Sequence, residues 1–94
     1  MGNKDLRKKL ADLRHEIIKE KQAILDVLGA NVVKRRKDLN YSQTELSVYS
    51  GVSAPAIQNL EYCRRGVSIS NFVCLCNALN CTPDELLGYD EEDK

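Results

Sequence analysis

Apolar residues in the first quarter of the chain recur at alternating spacings of three and four. They are Leu6, Leu10, Leu13, Ile17, Ile24 and Val27, with Glu20 the one polar interruption. Lys, Arg, Asp and Glu fill most of the positions between them, so the pattern is a heptad seam on an amphipathic helix. It predicts one helix over residues 4–27, a rod roughly 35 Å long at 1.5 Å per residue. A domain of about 60 residues has a radius of gyration near ~10 Å and cannot cover such a rod alone. The stripe therefore needs another surface. A second copy of the chain is the preferred one, with a protein partner or folding back onto its own domain as the alternatives.

The remainder reads as short helices separated by local stop signals. A helix is expected over residues 30–39, containing Val32, Val33, Arg36 and Leu39, with Asn40 at its end in place of glycine. Ser42 stands three residues before Glu45, the reciprocal pairing that caps a helix start. Leu46 and Tyr49 fall three apart on one face, and Gly51 ends that run where a left-handed residue is needed. Val52 turns into the core, Ser53 caps the next helix, and Ile57 and Leu60 recur at helical spacing. Helices are thus expected over 43–50 and 54–62, with Leu46, Val52, Ile57 and Leu60 pointing inward. Ser68 or Ser70 caps a fourth helix, with an apolar stripe of Ile69, Phe72, Val73, Cys76 and Leu79 and with Asn80 at its end. Thr82-Pro83-Asp84-Glu85 combines a Thr cap, Pro at the first helical position and a closing Glu. Leu86 and Leu87 then cover the bottom of the core. The organisation is an amphipathic helix over 1–27, a five-helix domain over 28–88 and an acidic tail over 89–94.

The stretch from Ser42 to Glu61 resembles the phage-repressor and Cro-like helix-turn-helix family, also called the xenobiotic-response-element family. The matching residues are Ser42-Gln43, Leu46, Gly51, Val52-Ser53, Ile57 and Leu60-Glu61. Upstream, Leu28-Gly29, Val32 and Arg36 match the family's first helix. Downstream, Arg64-Arg65, Ile69, Phe72, Leu75-Cys76, Ala78-Leu79 and Glu85-Leu86-Leu87 match its last two. The resemblance implies an all-α, lambda-repressor-like five-helix DNA-binding domain behind the long N-terminal helix. It also implies a sequence-specific transcriptional regulator of repressor type, reading the major groove of double-stranded DNA as a homodimer.

By position, the implied DNA-binding residues are Gln43, Ser53, Ala54, Pro55, Gln58, Asn59, Tyr62, Arg64 and Arg65. Gln43 opens the second helix, where its side chain and the helix N-terminus meet a phosphate. The small surfaces of Ser53, Ala54 and Pro55 suit thymine methyl groups, and the amides of Gln58 and Asn59 suit adenine. Asn59 is the first choice because it matches a base-reading position of the family. Arg64 and Arg65 are phosphate clamps, and Arg36 with Glu61 matches an ion pair that fixes the tilt of the reading helix. Cys63 departs from the family, which has a helix-ending glycine there. It must accept a strained backbone or let the helix run on to Arg65-Gly66.

Charge adds to this picture only once it is divided along the chain. The 94 residues carry no net charge. Residues 29–66 hold six Lys/Arg against three Asp/Glu, and residues 67–94 hold one against six, mostly in the tail. A DNA footprint depends on local field, so the basic middle segment matters more than the total. The zero total instead favours the competing account, an antitoxin- or adaptor-like interaction module on the same fold. Cys63, Cys74, Cys76 and Cys81 form no Cys-x-x-Cys pair, so a zinc site is not expected. They read as structural thiols of a reducing compartment, with Cys63 the exposed one. No apolar run approaches the ~18 residues of a membrane span, and His15 has no partner for catalysis. The expectation is a cytoplasmic protein with no membrane association, no cofactor and no enzymatic activity.

Overall fold

A computed structural model describes residues 2–89, with side chains from residue 4 onward. The chain forms five helices over this range: α1 (Gly2–Asp38), α2 (Gln43–Ser50), α3 (Ala54–Glu61), α4 (Ile69–Ala78) and α5 (Pro83–Leu87). The division expected between residues 27 and 28 falls inside α1, which runs unbroken for 37 residues. The amphipathic N-terminal helix and the first helix of the domain are therefore one rod. Nothing in Val27-Leu28-Gly29-Ala30 stops a helix, because a single interior glycine costs only about 1 kcal/mol. Gly29 is where α1 crosses the end of α3. A Cβ there would overlap the Leu60 carbonyl oxygen and lie 2.8 Å from Cys63 Sγ.

The core is assembled from one residue or two per helix. Leu28 and Val32 of α1 meet Leu46, Val52, Ile57, Leu60, Leu75, Cys76, Leu79 and Leu86, all buried. Side-chain caps start the four shorter helices at Ser42, Ser53, Ser68 and Thr82, with full capping boxes to Glu45 and Glu85. Each of these caps satisfies an amide that the first turn would otherwise leave free. The helix ends are equally local. Asn40, Cys63 and Asn80 adopt φ of 62°, 59° and 54°. The next amide then bonds back over five residues: Tyr41 to Arg36, Arg64 to Asn59 and Cys81 to Cys76, at 3.0, 2.9 and 3.0 Å.

Three expectations about buried faces are corrected. In α4, Ile69 is 82% exposed and Val73 is also exposed, while Leu75 is fully buried. The stripe is rotated toward Leu75, Cys76 and Leu79 because α2 and α5 pack on that side. Tyr49, three residues from buried Leu46, is exposed and does not share its burial; its ring is tilted against Tyr41 at 4.9 Å. Cys63 is half-buried beside Gly29, and Cys74 is the exposed thiol. The acidic run of the tail, residues 90–94, lies outside the described residues.

The radius of gyration is 16.8 Å, well above the ~12 Å of a compact chain of this length. The excess comes from the arm of α1, residues 2–21, which stands out from the domain and stretches the molecule to 59 Å. Leu6, Leu10, Leu13, Ile17 and Ile24 are all about half exposed or more, so their row has no cover among the described residues. No described helix is long and apolar enough to cross a membrane.

Candidate nucleic-acid interface

The turn between α2 and α3 is held by its own serines. Gly51 takes φ 76° and its amide returns to the Ser47 carbonyl at 2.9 Å. Ser47 Oγ donates to the Val52 carbonyl at 2.7 Å, and Ser50 Oγ donates to Leu46 O at 2.6 Å while accepting from the Val52 amide at 3.1 Å. The amide and the carbonyl of Val52 both have partners, so its side chain can bury itself between the helices. The relative placement of α2 and α3 follows from these short-range bonds.

The far end of α3 is tied to α1 and α2 through one carboxylate. Arg36 Nε donates to Glu61 Oε2 at 2.7 Å and Nη2 to Oε1 at 2.9 Å, a forked pair with the side chains only 12% and 3% exposed. Arg36 Nη1 also donates to the Tyr41 carbonyl at 2.9 Å. The bond to Glu61 pushes the Arg36 pKa above its already high ordinary value, so the guanidinium stays charged. Gln43 Nε2 adds a third hydrogen bond to Glu61 Oε1 at 2.8 Å. Its side chain therefore braces α2 against α3, with one amide hydrogen committed to Glu61.

Pro55, Gln58 and Tyr62 form one exposed strip along α3, at the spacing that puts residues on a common face. Ser53 is exposed at the leading end, with its Oγ accepting from the Ala56 amide at 3.3 Å. Ala54 is half-buried, and α3 begins at that residue with Pro55 in the first turn, where its missing amide leaves no gap. Asn59 is also half-buried, so Gln58 is the more open of the two amides. Cys63 takes the left-handed conformation, and helix geometry stops at Glu61 rather than running on to Gly66. Arg64 and Arg65 then project from the loop, exposed, with the Arg64 guanidinium 5.1 Å from the centre of the Tyr62 ring. The structure thus puts Pro55, Gln58 and Tyr62 on one face with Arg64 against Tyr62, leaves Ser53 and Arg65 exposed at its two ends, and bonds Gln43 to Glu61. Sequence reasoning missed the Tyr41–Tyr49 stack beside α2, for which the spacing alone gives no signal.

A family model described as helix-turn-helix matches residues 32–86, more than half of the chain. The chain belongs to the Cro/C1-type helix-turn-helix family. Like other members of that family, it is a DNA-binding transcriptional regulator. Among solved structures it is similar to the restriction-modification controller protein C.AhdI from Aeromonas hydrophila. The two are 31% identical with a TM-score of 0.65, over 68% of this chain and 97% of that one. No curated protein sequence matches the chain. The matched region of the helix-turn-helix model begins at Val32, inside α1, so the arm lies outside it.

Proposed function

We propose that the protein is a repressor that works in the cytoplasm and reads a palindromic double-stranded DNA site as a homodimer, without a catalytic role. In this account α3 enters the major groove, Gln58 and Asn59 read bases, and Ser53, Ala54 and Pro55 approach thymine methyls. Arg64 and Arg65 clamp phosphates, and Tyr62 packs beneath Arg64. The observation that carries the proposal is the forked Arg36–Glu61 pair, nearly out of solvent and braced by Gln43. It fixes the angle of a helix whose outer face is otherwise uncommitted. Gln43 contributes the amide end of α2 to a phosphate, with its side chain as the brace. One such module covers a single half-site, and affinity of ~10⁻⁸ M or tighter asks for more buried surface than that. A two-fold pair with half-sites about 34 Å or a multiple apart supplies it.

The test is selection of bound sequences from a random duplex pool, followed by a salt series on the selected site. A DNA reader loses affinity linearly in log salt. Gln58→Ala and Asn59→Ala should each relax sequence choice at one position and cost roughly 1–3 kcal/mol on the selected site. Arg64→Ala should weaken all duplexes alike and lower the salt slope by about one. Unchanged preference in both amide variants would remove α3 from the groove. A second account, an interaction module of antitoxin or adaptor type, draws support from the bare apolar row on α1. It predicts little affinity for any duplex at any salt.

A further inference from the structure

The arm of α1 has three different faces, and contacts at its base fix which way each one looks. Gln22 Nε2 donates to the Cys63 carbonyl at 3.0 Å, Asp26 O lies 3.9 Å from Cys63 Sγ, and Gly29 abuts Leu60. Gln22 therefore marks the side of α1 turned toward the end of α3 and the Arg64-Arg65 loop. Val27 lies against Gly88 beyond α5 and marks the side toward α5. At 100° per residue, the Gln22 side continues up the arm through Lys19, Ile18, His15, Ala11, Lys8, Arg7 and Lys4, all within about 60° of one line. The Val27 side continues through Ile24, Ile17, Leu13 and Leu6, the apolar row. The arm's carboxylates, Asp5, Asp12, Glu16 and Glu20, all fall outside the Gln22 strip. All four cations on that strip are exposed.

We infer that this basic strip is a second DNA-contacting surface, which lies along the phosphate backbone beyond the half-site held by the helix-turn-helix. It rests on the DNA-binding account above. Arg64 and Arg65 follow directly on Cys63, whose carbonyl Gln22 holds, so the strip begins beside the α3 loop, where Asp26 is bonded to Gln22. It carries its cations in two places, Lys19 near the base and Lys4, Arg7 and Lys8 toward the tip, with Ile18, His15 and Ala11 between them. The strip from Lys4 to Lys19 spans roughly 22 Å, or about six nucleotide steps along one strand. Its partner is a uniform line of negative charge, because lysines spaced along a rigid rod with few base-reading groups suit phosphates rather than base edges. The apolar row points to nearly the opposite side of α1, so cover by a second copy leaves the strip open.

The experiment uses the full chain and a matched variant, Lys4→Gln with Lys8→Gln and Lys19→Gln, chosen because Gln keeps helix propensity close to that of Lys. Both are titrated over a salt series on two duplexes, one trimmed to the protected site and one extended by ten base pairs on each side. The wild-type salt slope is expected to steepen on the extended duplex by about two to three for each arm that engages it. The variant should lose roughly tenfold in affinity at low salt on the extended duplex and almost nothing on the trimmed one. Equal wild-type slopes on both duplexes would overturn the inference while leaving DNA binding through α3 intact. An equal loss by the variant on both would also overturn it, as a general charge effect. Absence of wild-type binding to either duplex would instead remove the DNA-binding account on which it stands.

Discussion

Glu61 accepts from Arg36 twice and from Gln43 once while its side chain is 3% exposed. A carboxylate so enclosed is tolerated only because each oxygen is partnered. Arg36→Met should therefore cost about 3 kcal/mol by denaturant melting, near the low end for a broken buried pair because Gln43 still donates. Joining Glu61→Leu to it should recover much of that loss, and a single-variant effect under about half a kcal/mol would mean that the pair contributes nothing. Cys76 is the opposite kind of buried group. Burial first, and then the neighbouring Cys81, push its thiol up to about 11. The raised value means that the fold favours the protonated thiol. That contribution is complete below the ordinary thiol range and is lost as pH rises from about 9 through 11. The wild type should lose more stability over that window than Cys76→Ala does. At neutral pH a thiol-alkylating reagent should label exposed Cys74 and spare Cys76 until the protein unfolds. Equal labelling of the two would show that the α4–α5 corner opens readily.

At the scale of elements, the decisive contact is the crossing of α1 and α3 at Gly29. Gly29→Ala would ordinarily favour a helix by up to about 1 kcal/mol. Here the added methyl meets backbone, the Leu60 carbonyl, which cannot swing aside as a side chain would. The expected result is a net loss of about 1–3 kcal/mol with weakened DNA binding, because the end of α3 must shift. A more stable Gly29→Ala protein would show that the two helices are not in close contact. The same contact marks what the sequence could and could not reveal. Starts at Ser42, Ser53 and Thr82 and ends at Asn40, Gly51 and Asn80 were legible, because a cap is a bond over three to five residues. The inward set Leu46, Val52, Ile57 and Leu60 was legible because the turn fixes both helices at once. The buried side of α4 was not, since Leu75 and Val73 are equally apolar and only α2 and α5 choose between them. The fusion of two predicted helices into α1 was missed because the heptad seam ends at Val27 and the core-facing pattern of the domain begins at Leu28, although no local stop signal separates them. The reason for glycine at position 29 lies in Leu60, 31 residues away. Within the interface, residue types at the ends of α3 were readable. The bond from Gln43 to Glu61 was not, because it depends on where Glu61 lands in space.

The whole molecule is a small domain with a rod projecting from it, and the rod's bare row is what a monomer must account for. Leu13 and Ile17 are 59% and 50% exposed, and Leu6, Leu10 and Ile24 are similar. Half of the burial of such a side chain remains to be gained, on the order of 1 kcal/mol each. Supplied by five residues on each of two chains, it is comparable to the ~4–15 kcal/mol cost of association. The row is straight, lies on a helix with good intrinsic propensity, and repeats at the spacing that lets two helices interlock. A second copy offers a complementary surface without any other gene product. Glu20 is the one seam position that opposes such pairing, since a carboxylate there is desolvated when the rods close. Two substitutions therefore pull in opposite directions. Leu13→Glu should shift the sedimentation of the full chain toward monomer and weaken binding to a two-half-site duplex at least tenfold, while sparing a single half-site. Glu20→Leu should tighten self-association and leave the half-site affinity unchanged. Neither alters a contact inside the domain, because positions 13 and 20 are both exposed on the arm. If the wild type and both variants sediment alike as monomers, the arm does not join two copies, and its apolar row belongs to a different protein partner.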